Sequence, residues 1–475
     1  MSGIGIYQEA LAEAGVAVPE ILLPGPGCDR TKWSVIACDQ FTSLPAYWRE
    51  VEALVGDAPS SLRLILPEVF LNDRFSERVA AIHAKMGEYL DGGVFAPPFT
   101  GFVLTERRLP TGTRRGLIVA LDLERYEFEA GAVSLTRATE ATVKDRLPPR
   151  VQIRRGAALE LPHALALVND PADALIGPLA EAASGGGEFM GERLTPLYDF
   201  DLIAGGGHVR GFGLDGIQAA GHVARAWGRL LNEARAAAAG SLSGSMLFAI
   251  GDGNHSLAAA KAHWDELQTK LPADGRERHP ARFALVELVN LHSDAVQFEP
   301  IHRALFRADP EAVLAELRRC FAGRGVSVSA DAAPESGGDG VGRGDYGGGC
   351  SGDGSVGSGG GFVFPMLWGG GRRARLRIDK PEALLPVAEL QGFLDAFCAR
   401  HPEAALDYIH GADELSRLAN EEGCFCFILP KINKHGFFSS VAIDGLLPRK
   451  AFSMGDARDK RYYLEARRID GRPPS

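Results

Sequence analysis

At 475 residues, with 45% hydrophobic and 24% charged side chains, the chain has a globular composition and room for two or three domains around an enclosed site. The formal net charge of −10 is spread along the chain, and the basic clusters (Arg107-Arg108, Arg114-Arg115, Arg154-Arg155, Arg372-Arg373-Ala374-Arg375) are short, which argues against a nucleic-acid surface. No stretch has the unbroken apolar length of a membrane span, residues 1–16 lack the order of a secretory signal, and the seven cysteines are scattered without a CxxC pair. The expectation is a protein of the reducing cytoplasm, off the membrane, with neither structural zinc nor a disulfide scaffold.

In chain order, Ser34-Val35-Ile36-Ala37 reads as a short strand and Ala46 to Leu54 as a helix. Arg63-Leu64-Ile65-Leu66 then leads through Pro67 to a second helix, Ser76 to Leu90. Phe102-Val103-Leu104-Thr105 and Gly116 to Leu121 flank Thr111-Gly112-Thr113 as a hairpin. Ala164 to Val168 is a buried strand, Ala172 to Ala183 a helix, and Ala219 to Ala239 a long Ala-rich helix. Ser245 to Ile250 is an apolar strand followed by a helix over Ser256 to Leu267. Phe283 to Leu291 is β-rich, and Phe298-Glu299-Pro300-Ile301-His302-Arg303 reads as a polar loop after it. Pro310 to Phe321 is amphipathic, and Gly361 to Trp368 is strand-like.

Strands alternating with helices predict an α/β (α+β) fold with mixed sheets. Between Ser336 and Gly361, 14 of 26 residues are Gly, too little apolar surface to offset the entropy of ordering, so residues 336–361 are expected to be a disordered insertion. The predicted organisation is a main α/β catalytic region over residues 1–310 and a C-terminal α/β region over 311–335 and 362–475 that completes the site.

The turn Gly251-Asp252-Gly253-Asn254-His255-Ser256 joins a strand to a helix. Its glycines permit close approach of a ligand, and the helix start offers N–H groups that favour anions. Asp252 is suited to orient a donor or hold a metal ion, and His255 to shuttle a proton or bind phosphate. The alternative is a tight turn in which Asp252 or Asn254 caps the helix. A second segment, Arg137 to Arg150, sets Arg137, Arg146 and Arg150 with Lys144 around Glu140, as for a phosphate clamp with a base. An exposed helix of mixed charges fits the same composition. His302 and Arg303, Arg449 and Lys450, and Asp39 after a buried run are further candidates for anion or substrate contacts. Asp201 to His208, with three consecutive glycines, is either a ligand loop or a hairpin turn. Cys38 has no adjacent base and reads as a buried thiol rather than a nucleophile.

Five ordered segments, Trp33 to Ser43, Arg137 to Arg150, Gly251 to Ser256, Glu299 to Arg303 and Pro448 to Gly455, resemble the domain of unknown function 1015 (DUF1015) family. Many members carry Asp-Gly-His-His-Arg at the turn, similar to the active loop of ParB-related proteins, including kinases of free serine. Here Asp252, Gly253 and His255 match, while Asn254 and Ser256 stand in place of a histidine and an arginine. The missing cation must then come from elsewhere, with Arg303, Arg146 and Lys450 as candidates. The resemblance implies a ParB/serine-kinase-like core. It also implies a nucleotide-dependent kinase of a small hydroxyl compound, free L-serine first, with Mg²⁺ and ATP or ADP.

On that reading Glu140, Asp252 and His255 are catalytic. Gly251, Gly253, Asn254, Ser256, Arg146, His302 and Arg303 bind nucleotide or phosphate, and Arg137, Asp39, Arg449 and Lys450 hold substrate; no protein-built metal site is expected. The alternatives are a ParB-like nucleotide-binding regulatory module without a small-molecule product, and a metal-dependent hydrolase. The partners expected are nucleotide and small-molecule substrate.

Overall fold

The computed structural model describes residues 3–42, 44–142, 146–239, 244–330, 361–443 and 445–472. The Gly-rich insertion up to Gly360, and Lys144 of the arginine-rich segment, lie outside the described residues. The fold is mixed α/β, in two units: residues 1–297 with 454–475, and residues 298–453. No helix among the described residues is long and apolar enough to cross a membrane.

The first unit is built on a ten-stranded mixed sheet. Its strands are β1 (Val16–Ala17), β2 (Phe102–Leu109), β3 (Gly112–Asp122), β4 (Tyr126–Glu127), β5 (Thr136–Ala138), β6 (Leu165–Val168), β7 (Thr195–Asp201), β8 (His208–Leu214), β9 (Phe248–Asp252) and β10 (Phe283–Asn290). They run in the order β7-β8-β2-β3-β10-β6-β9-β5-β4, with β1 paired to β3. β2 and β3 form the predicted hairpin, and the Asp201 to His208 segment proves to be the turn between β7 and β8, with Asp201 opposite His208. The central strands read as continuous apolar runs because both faces are covered: Leu117 to Leu121 and Leu165 to Val168 are all buried.

Helices of this unit include α1 (Pro45–Val55), α2 (Phe75–Asp91), α3 (Leu147–Arg154), α4 (Gly177–Ser184), α5 (Ile217–Ala237) and α6 (Asn254–Gln268). α5 buries Ala220, Val223, Ala224, Trp227, Leu230 and Leu231, the three- and four-residue spacing of one helical face. α4 begins at Gly177, later than predicted. The Asp170 carboxylate accepts from Leu175 N–H at 2.8 Å and Asp173 takes φ +47°, so residues 170–176 form turns instead.

Ser34 to Ala37 is extended but makes a single bridge, Ile36 to Tyr462, rather than a strand. Its partner is the C-terminal segment, through Ala37 N–H to Arg461 O at 2.9 Å and Tyr463 N–H to Val35 O at 2.8 Å. That segment is held from three sides. Arg107 donates to the carbonyls of Arg458, Asp459 and Lys460, and Arg461 donates to Pro162 O at 3.1 Å and to Glu287 at 2.6 Å. Glu287, on β10, also accepts from Arg114 at 3.1 Å. Burial alone would raise the Glu287 carboxyl, but the two guanidiniums hold it below the usual carboxylate range.

The second unit has a sheet containing β11 (Phe298–Phe306), β12 (Val326–Ala330), β13 (Phe362–Trp368), β14 (Arg372–Ile378), β15 (Ala405–His410) and β16 (Phe425–Phe427), in the order β12-β14-β13-β16-β11-β15. The helices α7 (Pro310–Cys320) and α8 (Pro386–Arg400) belong to it. The segment Phe298 to Arg303, read from sequence as a polar loop, is the first half of β11. Pairing with β15 starts at Ile301, so Pro300 takes no N–H donor from that pairing.

Candidate functional site

The turn after β9 sits where three strands of the first unit end together. β9 runs parallel to β5, with Ile250 opposite Ala138, and antiparallel to β6, with Asp252 opposite Leu165. The end of β9 therefore lies between Thr139, just past β5, and His163-Ala164, just before β6.

Gly253 takes φ +77°, which favours glycine, and a Cβ there would lie 2.8 Å from Ala164 Cα; at Gly251 a Cβ would lie 2.3 Å from Met454 Sδ. The close approach these glycines permit here is to the protein itself. With Gly253 left-handed, α6 starts at Asn254, two residues earlier than predicted, and Asn254, His255 and Ser256 form its first turn.

Asn254 is a staple between the ends of two neighbouring strands, β5 and β9. Its Oδ1 accepts from Thr139 N–H at 3.2 Å, and its Nδ2 donates to Ile250 O at 3.2 Å and to Thr139 Oγ1 at 3.4 Å. The Thr139 hydroxyl closes the loop onto Ile250 O at 2.6 Å. Asp252 is held by Gly253 N–H on Oδ1 at 3.1 Å, and its Oδ2 lies 3.3 Å from the Lys460 ammonium. Lys460 is 9% exposed and Asp252 19%.

Ser256 Oγ is 2.9 Å from His163 Nε2, and His163 Nδ1 is 2.9 Å from the Tyr463 hydroxyl, which also accepts from Cys38 N–H at 3.2 Å. Asp39 Oδ2 lies 3.9 Å from the same Nε2, and its Oδ1 accepts from Gln40 at 3.0 Å. Burial works to raise the Asp39 carboxyl, but His163, the Gln40 bond and Lys460 outweigh it and hold the group below the usual carboxylate range. Burial, with Asp39 beside it, pushes the Cys38 thiol up to about 12, which suits an inert thiol rather than a thiolate.

Of the candidates read from sequence, Asp39, Asp252 and Ser256 come together here. His255 is half-buried on the same first turn of α6, and Glu140 is half-buried next to Thr139. Arg146 is exposed. Arg137 is buried and donates to Ser134 O at 2.9 Å and Gly244 O at 3.2 Å, and burial lowers its pKa. Arg150 pairs with Glu68.

The second unit holds the other four candidates. His302 is buried and accepts from Leu429 N–H at 3.1 Å, and burial, with Arg303 beside it, pushes its imidazole down to about 4. Arg303 donates to Gln391 at 2.9 Å and to Ile301 O at 2.5 Å. Arg303, Lys450 and Arg449 stand 4.6, 5.3 and 5.9 Å from the ring centre of Tyr408, within cation–π reach.

Reading local segments missed His163, Lys460 and Tyr463. The available signals were small: a Pro-His pair before a buried strand, and Lys460-Arg461-Tyr462-Tyr463 in an otherwise polar tail. Among the described residues, no three His, Cys, Asp or Glu side chains are grouped to hold a metal ion. Asp252 already has a backbone N–H and an ammonium on its two oxygens, so the donor set does not make a resident Mg²⁺ site.

No curated protein matches the chain. Among solved structures it is similar to a conserved hypothetical protein from Pyrococcus furiosus, at 11% identity, TM-score 0.32, covering 74% of this chain and 94% of that one. It is similar also to a free serine kinase mutant in complex with AMP, at 13% identity, TM-score 0.33, covering 75% and 90%. A third is SbnI with a C-terminal truncation from Staphylococcus aureus, at 8% identity, TM-score 0.31, covering 75% and 85%. These superpositions are loose. The model of the family described as Protein of unknown function (DUF1015) matches residues 22–397, most of the length over which the five motifs are spread, and the chain belongs to that family.

Proposed function

We propose that the first unit is a nucleotide-dependent phosphotransferase acting on the hydroxyl of a small molecule, with free L-serine the first acceptor to test. The observation that carries this reading is the cluster at the end of β9. It sets a buried ammonium, Lys460, and the first turn of a 15-residue helix, α6, beside two carboxylates, an imidazole and a hydroxyl. Lys460 supplies the cation that the Ser256 position lacks in this chain.

A nucleotide phosphate would bind against Lys460 and the start of α6, where ammonium and helix dipole both favour anions. The acceptor hydroxyl attacks the terminal phosphorus, a P–O bond forms to the acceptor as the P–O bond to the nucleotide breaks, and the hydroxyl proton passes to Asp39. We assign that proton to Asp39 rather than Glu140 because Asp39 is kept ionised and stands in the cluster itself. A weak base suffices, since the loose transition state of phosphoryl transfer depends on positioning and charge more than on proton removal. His163 orients Ser256 and stabilises the Asp39 charge. Magnesium enters as part of the nucleotide substrate, which carries most of its ligands.

The test incubates the full chain with Mg²⁺, ATP or ADP and a panel of hydroxyl amino acids, with mass spectrometry for phosphorylated product. Turnover that is lost in Asp39→Asn and Lys460→Met supports the reading, and survival of Glu140→Gln supports the choice of Asp39. Nucleotide binding with no phosphorylated product from any acceptor sinks it in favour of a regulatory nucleotide-binding module. The metal-dependent hydrolase alternative has no supporting His/carboxylate set at metal spacing among the described residues.

A further inference from the structure

Next to the cluster, within the first unit, lies a cavity of about 160 Å³ that the phosphotransferase reading does not use. Leu66, Met86 and Ala260 are among its apolar walls, and His163 and Ser256, members of the cluster, also line it. Two arginines also line it, and each is matched by a glutamate on the same wall: Arg150 pairs with Glu68 and Arg154 with Glu160. The wall thus offers no net charge to an ionic guest.

It does offer hydrogen-bonding groups. Arg154 Nε is buried with no hydrogen-bond partner among the described residues, an unmet donor of the kind proteins seldom leave, and the Ser256 hydroxyl keeps two of its three hydrogen-bonding capacities beyond its bond to His163. The volume is close to the roughly 150 Å³ of a cavity known to take benzene.

We propose that this cavity binds a small neutral molecule with an apolar body of about benzene size and one hydroxyl or carbonyl oxygen, the oxygen being read by Arg154 and Ser256. Binding of this kind is independent of whether a phosphoryl group is ever transferred.

Benzyl alcohol and toluene serve as the probes, titrated into the full chain by isothermal calorimetry and ligand-observed NMR. Benzyl alcohol is expected to bind saturably, about tenfold more tightly than toluene, the margin of one hydrogen bond to a buried donor. Arg154→Met and Ser256→Ala should each narrow that margin. Ala260→Leu and, as an independent filling of the same space, Leu285→Phe should abolish binding of both probes, with circular dichroism and the thermal transition reporting that each variant is folded.

Absence of saturable benzyl alcohol binding, or binding that persists in a folded cavity-filled variant, overturns the proposal. Equal binding of toluene overturns the assigned polar contacts. Benzyl alcohol binding by a protein that forms no phosphorylated product upholds this inference while the phosphotransferase reading fails, so the two fall separately.

Discussion

Replacing Asn254 by alanine removes a side chain that ties the turn after β9 to the residue after β5. Three hydrogen bonds go, at 3.2, 3.2 and 3.4 Å, and their loss is unequal. Thr139 is fully buried, so its N–H becomes a buried donor without a partner, at about 1–3 kcal/mol. Ile250 O keeps the Thr139 hydroxyl at 2.6 Å, so losing the amide there costs little, about 0.5 kcal/mol. Alanine regains about 0.5 kcal/mol of helix propensity at the start of α6. The net expectation is a loss of about 1–3 kcal/mol. Urea unfolding followed by tryptophan fluorescence measures it, because Trp264 lies on α6 itself and Trp33, Trp48 and Trp227 are buried in the same unit. Asn254→Asp should fall between, since a carboxylate still accepts from Thr139 but cannot donate to Ile250. A loss below about 0.5 kcal/mol in Asn254→Ala would refute the staple.

Lys460→Met should lower nucleotide affinity about tenfold or more and destabilise the first unit by about 2 kcal/mol, less than a fully buried pair costs because Asp252 remains partly exposed; calorimetry with ADP and urea unfolding read the two effects. The Asp39 carboxyl is depressed in the folded state, so its contribution is complete above its unfolded pKa of about 3.9 and is lost as pH falls through the lower folded value. Asp39→Asn should therefore flatten the acid limb of the stability profile, seen as melting temperature between neutral and strongly acidic pH. His302 is the opposite case of a base kept neutral: with its folded imidazole pushed down to about 4, the unfolded chain binds the extra proton first, and stability of the second unit falls as pH drops from about 6.5 toward the folded value. His302→Gln should remove that slope in unfolding followed by Trp368. Gly253→Ala forces a side chain into left-handed φ and against Ala164 and should cost at least about 2 kcal/mol, again by urea unfolding.

Much of the first unit was legible from local pattern. The β2–β3 hairpin, the buried run of β6, the amphipathic spacing of α5 and the strand-turn-helix at Gly251 to Ser256 each follow from periodicity and turn residues acting within a dozen positions. The family was legible for the same reason, since its motifs are short contiguous strings. Local pattern failed where partners are distant. Ser34 to Ala37 and Phe298 to Arg303 were misjudged because a strand is defined by what it pairs with, here the C-terminal segment in one case and β15 in the other.

The site divides along the same line. Sequence alone marked Asp39, Asp252 and Ser256 as polar residues placed after buried strands or at a helix start, where chemistry is affordable. Only the tertiary structure set them beside Lys460, His163 and Tyr463, because parallel pairing of β9 with β5, antiparallel pairing with β6 and the Arg461 contacts to Glu287 and Pro162 bring residues from opposite ends of the chain within 4 Å. It also changed the meaning of Asn254, from a histidine lost to a staple gained: a hydrogen-bond partner's identity depends on geometry that no local string of residues specifies.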